Sequence, residues 1–149
     1  MGVRGRLILV AAFMVLAARV ALPETGPVIV DGGIPQPLTD QPGDPARGAA
    51  LVRDMARASW MICHQVPFAD EPDQGDIGPP LAGVGGRIAV AELRLRLVDA
   101  RKVNPDTVMP PYHALDGLTL VGAAFQGKPI CSAQEVEDVL ARLLTLQTE

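Results

Sequence analysis

A thiol and an imidazole adjoin in the run Trp60-Met61-Ile62-Cys63-His64. In a Cys-x-x-Cys-His run, two thiols add to the vinyl groups of a haem and the adjacent imidazole binds its iron. The second Cys and the His of that pattern are present, and Trp60 stands where the first Cys would be. Taken alone, the pair reads equally as a buried thiol beside a satisfied imidazole. A second segment runs Asn104-Pro105-Asp106-Thr107-Val108-Met109-Pro110-Pro111-Tyr112. The residue before a proline is held extended, so Met109 projects from a stiff loop. A thioether presented in that way suits the second axial position of a haem iron, though a methionine is also an ordinary gap-filler. The third segment, residues 75–86, holds Ile77-Gly78-Pro79-Pro80-Leu81, a tight loop whose apolar residues could wall a flat ligand. His113 reads first as an exposed loop histidine and Cys131 as a small buried apolar residue, while Tyr112 and Arg87 are candidates to touch haem propionates or a partner. A copper site from Cys63, His64, Met109 and His113 is the rival metal reading, but blue-copper sites want a β scaffold.

These residues need elements to hold them. Asp44-Pro45 is a helix start, with Asp as N-cap and Pro at the first helical position, and the helix is predicted to run to about Arg57. Gly48 inside it costs roughly 1 kcal/mol relative to Ala, which close approach of another helix would explain. A second helix is predicted over Val90–Asp99 from its Ala, Glu, Leu and Arg content, although Leu93, Leu95 and Leu97 alternate with Arg94 and Arg96 as in a strand. Ser132-Ala133-Gln134-Glu135 is a capping box for a last helix. Val136, Val139, Leu140, Leu143 and Leu144 form its apolar stripe, predicted to pack on the Gly48 helix. Asp138 and Arg142, four residues apart, are placed on its wet side as a weak pair.

The chain has 149 residues, 48% hydrophobic and 20% charged, which suits one globular domain. Its net charge of -4 and lack of clustered Lys and Arg exclude a nucleic-acid role. Fourteen Pro, fifteen Gly and 3% aromatics exclude a large sandwich or barrel and predict long loops between helices. Arg4 and Arg6 precede the uncharged run Leu7–Ala18, the layout of a signal peptide over residues 1–21, cut after Ala17 or Ala21. An uncleaved anchor is the alternative reading. Export places Cys63 and Cys131 in an oxidising compartment, where they could bridge. Residues 22–43 form an extended Pro/Gly-rich arm with no core of its own. Its Val28, Ile29, Val30, Ile34 and Leu38 are expected to lie on a surface, either its own domain's or a partner's, and packing against the partner is predicted. Residues 44–149 form the compact domain.

Export, helix, Cys-His, Gly/Pro loop, helix, Met-Pro and capped terminal helix follow in the order of an all-α, class I cytochrome c fold. From Arg57 to Gln147 the chain resembles the X subunit of the sulfur-oxidising SoxAX cytochrome. The likeness rests on Cys63-His64-Gln65, Gly75-Asp76-Ile77-Gly78-Pro79, Leu93 to Asp99, Val103 to Pro110, Phe125-Gln126-Gly127-Lys128-Pro129 and Ala133 to Val139. The resemblance implies a periplasmic electron-transfer subunit, paired with a SoxA-like subunit in a thiosulfate-oxidising complex. That complex acts on a cysteine of a SoxYZ-type carrier, as an L-cysteine S-thiosulfotransferase whose thiol chemistry belongs to the A subunit, and this chain would pass electrons to a downstream acceptor. By motif match Cys63 would hold haem c through a single thioether, His64 would be the proximal iron ligand and Met109 the distal one. Trp60 departs from the family pattern. A haem-free subunit that stabilises its SoxA-like partner and a generic mono-haem carrier are the alternatives.

Overall fold

The computed structural model describes residues 26–148; the expected leader, residues 1–21, and the first residues of the arm lie outside them. The elements in chain order are α1 (Pro45–Arg53), α2 (Trp60–Cys63), α3 (Val84–Arg87), α4 (Val90–Asp99) and α5 (Ala133–Leu144), with single 3-10 turns at Ala100–Lys102 and Ala123–Phe125. Among the described residues there is no strand, only an isolated antiparallel bridge between Val30 and Gly33, and no helix long and apolar enough to cross a membrane.

Local chemistry starts α1 and α5 as expected. The Asp44 carboxylate accepts from the Ala46 and Arg47 amides, leaving Pro45 where an N–H is not needed. The capping box of α5 is complete: Ser132 accepts from the Glu135 amide, and Glu135 accepts from the Ser132 amide. Helix α1 is shorter than predicted, ending at Arg53 with Asp54 as its cap.

The apolar stripe of α5 packs on α1 and α4, with Val52, Val136, Val139, Leu140 and Leu95 almost wholly buried. A Cβ on Gly48 would stand 2.0 Å from the Asp138 carbonyl oxygen, so the α1–α5 approach admits only glycine there. Asp138 itself is a correction. It is buried rather than on the wet side, and its partner is Arg47 of α1 (2.7 and 2.8 Å), not Arg142. It also accepts from the Asp44 amide, so one carboxylate ties the start of α1 to the middle of α5. The alternation in α4 has a related cause. Arg94 points inward onto Glu137 (2.8 and 3.2 Å) and the Ile34 carbonyl, while Arg96 stays outside on Glu92. An arginine at a core position mimics strand periodicity on a helix.

The arm is a second correction. Ile34 is 1% exposed and its amide donates to the Ala91 carbonyl, and the Leu38 amide donates to the Glu137 carboxylate. Residues 33–44 therefore lie on the chain's own α4 and α5, because the buried Arg94–Glu137 pair has a spare donor for the Ile34 carbonyl and a spare acceptor for the Leu38 amide. Val28, Ile29 and Val30 remain exposed.

Candidate functional site

Helix α2 is a single turn, too short to persist on its own. It is entered through Ser59, whose φ of 56° is left-handed and unusual for a residue with a Cβ. Three backbone bonds clasp its end to the Gly/Pro loop: Gly75 donates to Met61, Gly78 to Cys63 and Leu81 to Gln65. The loop thus runs alongside the Cys-His segment and places Gly78 and Pro79 against the imidazole.

His64 is held on two sides. Its Nδ1 lies 2.8 Å from the Pro79 carbonyl oxygen, which can only accept, so in the neutral ring Nδ1 carries the proton and Nε2 keeps the lone pair. A metal-binding histidine almost always has its other ring N–H fixed in this way. The ring also lies against the backbone of Gly78, where a Cβ would be 2.3 Å from Cε1. Pro79 is the functional group that the sequence reading missed. The available signal was the pair Gly78-Pro79 itself, a residue without a side chain beside one without a backbone N–H.

Cys63 is half-buried and not bridged to Cys131, which is 1% exposed. Burial pushes the Cys131 thiol up to about 12. Met109 is half-buried and packs on the core from a stiffened loop. There the Asp106 amide donates to Asn104 Oδ1, the Thr107 amide to the Asn104 carbonyl and the Met109 amide to Thr107 Oγ1. The two segments meet through aromatic rings: Trp60 stacks on Tyr112 with centroids 4.2 Å apart and planes 20° from parallel. Tyr112 donates its hydroxyl to the Ala58 carbonyl (3.1 Å), and burial raises its pKa. That hydroxyl therefore faces the chain's own backbone.

His113 is not an exposed loop histidine. It is half-buried and its Nδ1 pairs with the Cys131 carbonyl at 2.9 Å. Arg87 donates to the Ala82 and Pro80 carbonyls, bracing the loop that carries Pro79. Among the described residues no three His, Cys, Asp or Glu side chains form a set that could hold a bare metal ion. Cavities of about 280 Å³, beginning at Pro110, and about 420 Å³, between the arm and α4, are not lined by His64.

The chain is similar to the crystal structure of SoxXA from P. pantotrophus, at 36% identity, with 80% of this chain and 93% of that one covered and a TM-score of 0.74. It belongs to the SoxXA family of cytochromes. No protein-family model and no curated protein matches it. The all-α cytochrome c fold expected from the order of motifs is the fold of this SoxXA-family chain.

The residue types that a single-tether c-type haem would need are present: one free thiol, one imidazole and one thioether. His64 has its Nε2 unengaged by the bond that orients the ring, Cys63 is a free thiol beside it, and Met109 offers a thioether from a rigid loop. Trp60 gives no second tether, and its ring is committed to Tyr112.

Proposed function

We propose that this SoxXA-family chain is the X-type subunit: a periplasmic mono-haem electron carrier beside a SoxA-like subunit, in a complex that couples thiosulfate to a SoxYZ-type carrier. Cys63 would hold haem c by one thioether, and His64 and Met109 would be the proximal and distal iron ligands. The haem supplies a one-electron store, and the thiol chemistry belongs to the partner.

The observation that carries this reading is the His64–Pro79 hydrogen bond, which presents Nε2 at the end of a Cys-His helix. The Pro79 carbonyl holds the orientation of the His64 ring. Met109 favours the reduced state, since thioether ligation raises the potential of a haem iron. Met109 is preceded by a serial set of turn bonds and followed by Pro110-Pro111, so little loop entropy remains to be lost on ligation. A haem-free scaffold is the second reading, favoured by the buried Trp60 at the tether position.

Export of the full chain together with a SoxA-like partner, followed by a pyridine haemochrome assay on the separated subunit, tests the reading. One unreacted vinyl group should place the reduced band between ordinary c-type and b-type positions, and acid–acetone should leave the haem on the protein. A folded subunit recovered without haem would overturn the carrier reading in favour of the scaffold.

A further inference from the structure

The tether position has been given to a different kind of link. Trp60 is 3% exposed and Tyr112 4%, and their stacked rings join the start of α2 to the loop behind Met109. The Tyr112 hydroxyl adds a second link by donating to the Ala58 carbonyl, two residues before Trp60. His64 lies one helical turn beyond Trp60, and Met109 is separated from Tyr112 only by Pro110-Pro111, which have little freedom of φ. A displacement of either ring is therefore passed towards His64 on one side and Met109 on the other. Helix α2 cannot hold its own position: it is a single turn with no side-chain cap, entered through the left-handed Ser59.

We propose that Trp60 is a positioning residue which, through its stack on Tyr112, sets the separation between the His64 helix and the Met109 loop. This rests on the reading that His64 and Met109 share a haem iron. In a doubly tethered site the helix is held to the porphyrin by two covalent bonds; here the helix is held directly to the opposite loop. Neither link needs the haem, so the haem-free chain keeps the arrangement.

The test uses the full chain with Trp60→Leu, Tyr112→Leu, the double variant, and Trp60→Phe and Tyr112→Phe, which keep a ring and serve if the Leu variants fold poorly. Trp60 is the only tryptophan, so its emission reports the stack directly in haem-free protein. Tyr112→Leu should make that emission more accessible to acrylamide. In haem-loaded protein, added imidazole competes with Met109 for the iron, and its apparent affinity should rise about two- to tenfold in each Leu variant, the range of an aromatic pair. The double variant should do no more than Tyr112→Leu alone, because that substitution already removes the stack along with the hydroxyl link. Trp60→Phe should restore most of the wild-type affinity, and Tyr112→Phe should fall between. Unchanged imidazole affinity while Trp60 emission shows the stack broken, or additive effects of the two Leu substitutions, would overturn the positioning role and leave the carrier reading standing. Wild-type protein that takes up no haem would overturn the carrier reading and the positioning role together.

Discussion

Gly78→Ala asks whether the Gly/Pro loop aims His64. A Cβ at this position would stand 2.3 Å from His64 Cε1 and 2.6 Å from Nδ1. Carbon atoms in good contact sit at about 3.5–4.0 Å, so the ring must retreat by roughly 1 Å or more. It is the free end of a side chain and can do so by turning about its own bonds, at about 0.5–1.5 kcal/mol for leaving its rotamer well. The retreat would carry Nδ1 out of reach of the Pro79 oxygen, now 2.8 Å away, and lose a hydrogen bond worth about 1 kcal/mol. Folding stability should therefore fall by only about 1–3 kcal/mol in denaturant titration. Ligation should suffer more specifically. Loss of the partner that orients a ligating histidine costs about 10–100-fold in metal affinity. The fraction of iron lacking its histidine should rise by that factor in haem-loaded protein, read as high-spin signal in visible absorption and electron paramagnetic resonance. An unchanged spin state in a folded Gly78→Ala protein would refute the argument that the Pro79 carbonyl holds the ligand in place.

Gly48→Ala should destabilise the fold although alanine favours helix by about 1 kcal/mol. The new Cβ meets the Asp138 carbonyl backbone at 2.0 Å, and overpacking costs of about 1–3 kcal/mol add to the stretching of the Arg47–Asp138 pair. A net loss of about 2 kcal/mol would lower the melting temperature by about 5 °C, and a raised one would show that α1 and α5 separate freely. Met109→Ala should lower the reduction potential of the haem-loaded protein and open the iron to external ligands; an unaltered ligand-binding spectrum would exclude Met109 as the distal ligand. Acid should unfold the chain through its paired carboxylates. A hydrogen bond from Arg47 holds Asp138 below its usual 3.8, and one from Arg101 does the same for Asp99. With folded values below unfolded ones, this stability is complete above about pH 4 and is lost as pH falls through the folded values. Denaturant titrations against pH should show Arg47→Met removing part of that slope, and an unchanged slope would disprove the assignment to Asp138.

The segments of the candidate site could be picked out of the residues themselves. The Cys63-His64 pair, the Met109-Pro110 loop and the Gly75–Gly86 loop are each short, and their chemistry depends on neighbours within a few positions. The comparison with SoxXA supports the fold they were taken to belong to. What the sequence left out was how those segments face one another. The His64–Pro79 hydrogen bond spans a turn of chain whose path depends on three backbone bonds between residues 61–65 and 75–81. The Trp60–Tyr112 stack joins a residue marked only as standing where a Cys would be to one marked only as a propionate or partner contact, and nothing in the sequence pairs the two rings.

The sequence by itself determined the helix starts, because capping is settled by atoms three or four residues apart: Asp44 with Ala46 and Arg47, Ser132 with Glu135. It also placed α4 at Val90–Asp99 and the apolar stripe of α5. Only the tertiary structure decided which charge met which. Asp138 has Arg142 four residues away on its own helix, yet it binds Arg47, 91 residues distant, because close α1–α5 packing at Gly48 buries the carboxylate against the start of α1, where Arg47 and the Asp44 amide reach it. The same holds for the arm. Its extended backbone was written in its prolines and glycines, but its resting place was not. Burial of Arg94 and Glu137 left an N–H for the Ile34 carbonyl and an oxygen for the Leu38 amide, so the arm lies on its own helices. Periodicity marks a face as apolar; it does not say which distant groups that face will carry inward with it.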